Sequence, residues 1–169
     1  ALINCPECGR ENVSDSAEMC PDCGYGISFD LHYQIKDFIK RNNGECEALP
    51  APFAVFLNKN DKNYDEPEIS VICDKNKITD KECNGSPEWI IETVSQRSKQ
   101  MNYYKKLFKC CTAGVREYWV ADPERELVTV YNFEKDSIEE YSFDKDIPVG
   151  IYEGFKYKYD GIKKRLENK

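Results

Sequence analysis

Four cysteines near the start of the chain have the residue types and the spacing of a zinc site. They form two C-x-x-C pairs separated by eleven residues, and a glycine, Gly9 or Gly24, follows each pair. A tight turn that contains glycine lets both thiolates of a pair face one tetrahedral metal ion. Disulfide pairing is the alternative, but twin C-x-x-C pairs are the stronger sign of metal binding. The predicted structural zinc ligands are Cys5, Cys8, Cys20 and Cys23.

The chain has 169 residues, which suits one ordinary domain with a small appendage. Because the cysteine-rich composition ends near residue 28, we predict a four-cysteine zinc ribbon over 1–28 and one globular domain over 29–169. No apolar stretch approaches the roughly 20 residues that cross a bilayer, and the start lacks a signal-peptide pattern. We therefore predict a cytosolic protein, without membrane contact, whose later cysteines are reduced. Those cysteines are Cys46, Cys73, Cys83, Cys110 and Cys111.

The distribution of charge indicates where a polyanion would bind. The net charge of −7 argues against binding nucleic acid through overall charge, because phosphate affinity needs clustered cations. Residues 1–30 are acidic, whereas residues 93–116 contain six basic side chains and no acid. A solvated helix face is the alternative for that basic segment, but we expect a bound polyanion there. The predicted contacts to substrate phosphate are Arg97, Lys99, Lys105 and Lys109.

Apolar periodicity predicts an α/β protein. Helical spacing of apolar residues indicates two helices, and short β-rich apolar runs between polar connections indicate strands of a largely buried sheet. The order of these elements predicts an α/β sandwich around a mixed β-sheet. The predicted helices cover 31–41 and 98–112, and the predicted strands cover 53–58, 68–73, 89–94, 116–122, 126–133 and 137–143.

Two acids, Glu68 and Glu92, interrupt strands that otherwise have the composition of buried strands. An unpaired carboxylate in such a place is unfavourable, but two carboxylates on neighbouring strands can share a hard cation such as Mg²⁺. The alternative is that Glu68 lies exposed at a strand end and that Glu92 pairs with a lysine. The single histidine, His32, is a weak candidate for catalysis, and the sequence contains no glycine-rich phosphate loop.

The stretch from residue 68 to residue 122 resembles the Uma-two family of restriction endonucleases, within the PD-(D/E)XK nuclease superfamily. The matching segments are PEISVICD (67–74), GSPEWIIETVS (85–95) and AGVREYWVADP (113–123). A weaker match extends in both directions over most of the chain beyond the ribbon. The resemblance implies a restriction-endonuclease-like core, in which a mixed β-sheet is flanked by helices.

The resemblance also implies a catalytic site made of Glu68, Glu92 and Lys106. Most of the superfamily keeps the lysine two residues after the second acid, where this chain has Val94, and the resemblance transfers its role to Lys106 of the following helix. Glu68 and Glu92 would hold Mg²⁺ or Mn²⁺, which polarises the scissile phosphate and activates water, while Lys106 stabilises negative charge. The implied substrate is DNA, and related nucleases commonly work as homodimers.

The chain departs from the family pattern at four positions near the implied site. The family has Asp at the positions of Glu68, Glu88 and Asn102, and Tyr at the position of Cys110. A catalytically degenerate nuclease scaffold is therefore the alternative to an active endonuclease. Such a scaffold would act as an adaptor that binds DNA, or a protein partner through the zinc ribbon.

Overall fold

The structure, a computed structural model, describes residues 2–4, 9–14, 25–58, 61–93, 100–122 and 125–158. The helices are α1 (Tyr25–Arg41) and α2 (Gln100–Ala113), and a short 3-10 helix spans Lys75–Lys77. The first six strands are β1 (Leu2–Ile3), β2 (Val13–Ser14), β3 (Glu47–Pro50), β4 (Ala54–Phe56), β5 (Ile69–Ile72) and β6 (Glu82–Asn84). The others are β7 (Trp89–Thr93), β8 (Glu117–Asp122), β9 (Leu127–Asn132), β10 (Ser137–Ser142), β11 (Ile147–Pro148) and β12 (Lys156–Tyr157).

Six of these strands form one mixed sheet in the order β10-β9-β8-β7-β5-β3. The central pair β7–β8 is parallel, and every other pair in this sheet is antiparallel. Parallel neighbours need a crossover connection, and α2 lies in the connection between β7 and β8. The arrangement confirms the predicted α/β class with a mixed sheet.

Each face of the sheet carries its own apolar cluster. Side chains alternate between faces along a strand, so Trp89 and Ile91 of β7 belong to one cluster and Ile90 to the other. The first cluster includes Leu31 of α1, and the second includes Cys110 of α2. The two helices therefore cover opposite faces, which gives the three-layered sandwich that the sequence predicts.

A glycine determines where helix α2 ends. Gly114 has a φ of 96°, a left-handed conformation that glycine adopts at little cost and that commonly ends helices. The amide of Val115 then donates to the carbonyl of Cys110 at 3.1 Å. This turn fixes where the chain leaves α2 to enter β8.

Several elements differ from the sequence-based expectation. Helix α1 begins at Tyr25 rather than at residue 31. The run 53–58 contains β4, but β4 pairs in parallel with β6 outside the main sheet, and β3 takes the edge position beside β5. Pro52 has no N–H to donate and cannot continue a ladder of hydrogen bonds. Just after β3, the Ala51 amide donates to the carbonyl of Glu68, the residue before β5, at 2.9 Å.

The prediction that all the later cysteines are reduced is wrong for two of them. Cys46 and Cys73 form a disulfide. The register pairs Glu47 with Ile72, which places Cys46 and Cys73 one step further along the same antiparallel pair, opposite each other. Cys83, Cys110 and Cys111 are free thiols.

A buried carboxylate fixes the segment that follows β10. Glu117 of β8 is 1% exposed, and it accepts hydrogen bonds from Trp119 Nε1 at 2.7 Å, the Gly150 amide at 3.1 Å and the Ile151 amide at 3.0 Å. Three donors satisfy a group that would otherwise be unfavourable in the core. The backbone at Gly150 approaches so closely that an added Cβ would lie 2.5 Å from Asn132 Nδ2.

The predicted zinc ligands Cys5, Cys8, Cys20 and Cys23 lie outside the described residues. Within residues 1–28 the structure describes the short antiparallel pair β1–β2. The division into 1–28 and 29–169 stays a prediction. Within the described part of the chain, no helix is long and apolar enough to cross a membrane.

Candidate active site

A small cavity lies between α2, the sheet and the segment that precedes β5. Its volume is about 10 Å³, which is room for a single water molecule or one small ion. Glu92 of β7 and Lys106 of α2 both line it, together with Asp65 of the preceding segment. Its apolar walls include Val55, Leu57, Ile90 and Tyr118.

Strand alternation and helical spacing bring Glu92 and Lys106 to this cavity. Glu92 lies two residues after Ile90 and so on the same face of β7, at the carboxyl end of the strand. Lys106 lies one helical turn before Cys110, which is buried against that face. The cation-bearing helix therefore covers the acid-bearing end of the strand.

The environment of Glu92 favours its protonated form. Burial raises the pKa of the Glu92 carboxyl from 4.5 to about 7, the nearby Lys106 ammonium opposes this, and the carboxylates of Glu68 and Asp65 add to it. A cation that enters the cavity would favour the carboxylate form of Glu92.

Glu68 lies beside the cavity rather than in its wall. Its Oε2 accepts a hydrogen bond from Thr93 Oγ1 at 2.8 Å, and the residue is half-buried just before β5. Glu68 is nevertheless close enough to raise the pKa of Glu92. Of the three predicted catalytic residues, Glu92 and Lys106 share the cavity, and Glu68 approaches it from the neighbouring strand.

The chemistry of the oxygen donors fits Mg²⁺ or Mn²⁺ with few protein ligands. No three His, Cys, Asp or Glu side chains within the described ranges come together as a ready metal-binding group. Mg²⁺ usually keeps several waters and uses one or two carboxylates together with substrate phosphates. Glu92 and one further carboxylate match this number of protein ligands, and the waters and phosphate of such an ion would lie outside the cavity.

The predicted phosphate-binding residues have different surroundings. Lys105 is exposed on α2, whereas Lys109 is tied to Asp61 at 3.6 Å and to Asp65 at 3.7 Å. Two adjacent carboxylates offset the charge that Lys109 would offer to a phosphate. Arg97 and Lys99 lie outside the described residues.

Asp65 is the cavity residue that the sequence analysis missed. It reaches the cavity because its segment folds back along β4, where Asp65 and Val55 exchange two backbone hydrogen bonds of 2.7 and 3.0 Å. The only signal in the sequence is an acid three residues before Glu68, and such an acid is commonly just a solvated loop residue.

Cys110 and His32 have surroundings that fit a role in the fold rather than in catalysis. Burial raises the pKa of the Cys110 thiol to about 12, with Asp65 and Glu92 adding to it, so Cys110 is a neutral wall of the cavity. His32 Nε2 donates to the carbonyl of Ala48 at 2.9 Å and ties α1 to β3. Neither arrangement supplies a nucleophile.

Comparison with known protein families identifies the scaffold. The model of the Uma2 family, described as "Putative restriction endonuclease", matches residues 21–153. The chain belongs to the Uma2 family. A zinc-ribbon domain model matches residues 1–27 of this Uma2 chain, which contain all four predicted zinc ligands.

A solved structure shares the fold of this Uma2 chain. It is described as a "putative nuclease belonging to DUF820" from Anabaena variabilis ATCC 29413, with a TM-score of 0.65 and 20% sequence identity. The match covers 83% of this chain and 79% of the other. A search of curated proteins gave no match. The cavity that holds Glu92 and Lys106 therefore belongs to a nuclease-like fold.

Proposed function

We propose that this Uma2 chain is an endonuclease that hydrolyses phosphodiester bonds of DNA and depends on Mg²⁺ or Mn²⁺. The observation that carries the proposal is the shared cavity of Glu92 and Lys106 at the end of β7. An acid that resists ionisation beside a lysine is the kind of perturbed pair that functional sites contain. Family membership gives this pair a nuclease context.

The residues around the cavity have separate roles in the proposed reaction. Glu92 holds the ion, with Glu68 at the border of the site. When bound, the ion polarises the scissile phosphate and lowers the pKa of a water molecule. Lys106 donates to a phosphate oxygen and stabilises its developing negative charge. Lys105, with Arg97 and Lys99, binds the phosphates that flank the scissile bond.

Replacing Lys106 with methionine is expected to lower the rate of plasmid nicking by about 10²-fold, because removal of one charge-stabilising donor has an effect of that order. The change keeps the length and apolar stem of the side chain. The measurement is conversion of supercoiled to open-circular DNA in the presence of Mg²⁺ or Mn²⁺, at saturating protein.

Lys105→Met is the matched control, because Lys105 precedes Lys106 on the same helix and is exposed. We expect this variant to bind DNA more weakly and with a shallower salt dependence, while its saturated rate stays within a factor of about three of wild type. Equal saturated rates in wild type and in Lys106→Met would refute the proposed role of Lys106.

A degenerate scaffold that acts as an adaptor is the second candidate. The hydrogen bond between Glu68 and Thr93 favours it, because that bond occupies an oxygen that would otherwise be available to an ion. In this case the chain would bind DNA, or a protein partner through its ribbon, without cleaving. DNA binding in a gel-shift assay, together with no nicking in either metal, would select the adaptor.

We also propose that the ribbon binds one structural zinc ion and serves folding or docking rather than catalysis. The expected zinc content is one ion per chain, and a Cys5→Ser, Cys8→Ser double variant should lose it, since thiolate ligands supply the affinity of such sites. Atomic emission spectroscopy checks this result. Cys111→Ser, at an exposed free thiol, is the control, and zinc retained by the double variant would refute the assignment.

The proposed homodimer has no assigned interface.

A further inference from the structure

We infer that Asp65 supplies the second carboxylate of the ion site, beside Glu92, and that Glu68 supports the site from its border. This inference rests on the proposed metal-dependent function. It concerns a residue outside the three that the family resemblance implies, and it follows from how the segment before β5 is held against β4 and α2.

The backbone pairing of Asp65 determines which way its side chain points. Asp65 and Val55 exchange both backbone hydrogen bonds, at 2.7 and 3.0 Å, so they form a directly opposed antiparallel pair. Side chains of such a pair lie on the same face. Val55 is 0% exposed and lies in the apolar cluster under α2. The Asp65 side chain therefore points toward the same interior, and it lines the cavity with Glu92.

Lys109 holds the Asp65 carboxylate in this position. Its ammonium lies 3.7 Å from Asp65 Oδ2 and 3.6 Å from Asp61 Oδ2. The Asp61 carboxylate in turn accepts from the amide of Asn58 at 3.2 Å. Asp65 is thus positioned mainly by its backbone pairing, and the ion pair with Lys109 adds a weak contribution. A ligand that is positioned before the ion arrives loses little conformational freedom on binding.

The electrostatics agree with this geometry. Asp65 raises the pKa of both Glu92 and Cys110, which lie on different elements around the cavity. A cation between the two acids would favour the carboxylate form of both. Lys106 and Lys109 offset part of the repulsion between these acids and make a doubly acidic cavity tolerable in the absence of the ion.

The position of Glu68 explains why a second acid would be needed. Glu68 does not line the cavity, and its side chain is one methylene longer than the Asp that the resemblance implies there. Mg²⁺ accepts little error in ligand position around its contacts of about 2.0–2.1 Å. Asp65 has the shorter side chain and already lines the cavity.

The test is calorimetric titration of the zinc-loaded full chain with Mn²⁺, which reports ion binding without requiring cleavage. Asp65→Asn is expected to weaken Mn²⁺ binding by at least the roughly 10–100-fold that loss of an outer-shell partner of a metal ligand costs. Asp61→Asn is the matched control, because it removes an equivalent ion pair from Lys109 but not a cavity residue, and its affinity should stay within about threefold of wild type. Glu92→Gln is titrated alongside, and circular dichroism verifies that each variant is folded.

The possible outcomes separate the inference from the proposed function. Unchanged Mn²⁺ affinity in Asp65→Asn with a loss in Glu92→Gln would overturn the role of Asp65 and leave the ion site in place. Equal losses in Asp65→Asn and Asp61→Asn would also overturn it, because both would then act through Lys109. Unchanged affinity in Glu92→Gln would remove the proposed ion site itself.

Discussion

Replacement of Glu92 with glutamine is expected to reduce DNA cleavage by about 10³-fold and to stabilise the folded chain above pH 7. The activity is lost because a neutral amide cannot provide the charge that holds the ion. The stability rises because burial lifts the pKa of Glu92 from 4.5 to about 7, so the folded state disfavours the carboxylate. The catalytic and the folding requirements at this residue therefore oppose each other.

The pH dependence gives the sign and size of the stability effect. Below pH 4.5 the Glu92 carboxyl is protonated in both states, and between pH 4.5 and about 7 the folded state keeps the proton longer. The wild type thus loses stability as pH rises through this window. Each pKa unit corresponds to about 1.4 kcal/mol, and solvent screening at a half-buried group leaves an expected gain of about 1–2 kcal/mol at pH 8.

Urea unfolding at pH 5 and pH 8, without added divalent ions, measures this effect. Glu92→Gln should match wild type closely at pH 5 and exceed it at pH 8. Glu140→Gln, at an exposed position on β10, should change the free energy of unfolding by less than about 0.5 kcal/mol at both pH values. A gain that is the same at pH 5 and pH 8 would show that titration of Glu92 is not its cause.

Removal of the Cys46–Cys73 disulfide is expected to lower the free energy of unfolding by about 3–4 kcal/mol. The bond closes a loop with a sequence separation of 27 residues, and closure of a loop of this length reduces the entropy of the unfolded chain by about that amount at room temperature. The variant is Cys46→Ala with Cys73→Ala, and the measurement is the shift of the urea midpoint relative to wild type.

A reducing agent distinguishes the disulfide from side-chain packing. It should lower the stability of wild type toward that of the double variant and leave the double variant unchanged. Cys111→Ala is the control, because Cys111 is an exposed free thiol, and this variant should respond to reduction as wild type does. Wild type that keeps its full stability under reduction would contradict the prediction.

The sequence predicts most of the sheet because its signals are local. The apolar runs of β5 and β7, the alternation of β9 and β10, and the helical spacing in α2 all appear within short windows. Strand β3 was missed because Glu47–Pro50 is a short segment that ends in proline. Only its pairing with β5 shows that it is a strand. The Cys46–Cys73 pair was missed for the same reason, since the register alone brings the two thiols together.

The candidate site likewise contains residues that the sequence points to and one residue that it does not. Glu92 is visible in the sequence as an acid within an apolar strand, and Lys106 is implied by the family resemblance. Asp65 is neither visible nor implied in this way, because its place beside Glu92 depends on the fold-back of its segment onto β4. The ion pairs of Lys109 with Asp61 and Asp65 were equally hidden, because charge runs in a sequence do not show which opposite charges approach from another segment.

The proposed amine on α2 and the proposed carboxylate on β7 are separate residues, so a lineage can lose one and inherit the other. Under the proposed roles, loss of Lys106 would silence turnover and also remove a cation that offsets the acids of the cavity. A non-cleaving descendant would therefore keep both acids and be more acidic at that place than its parent.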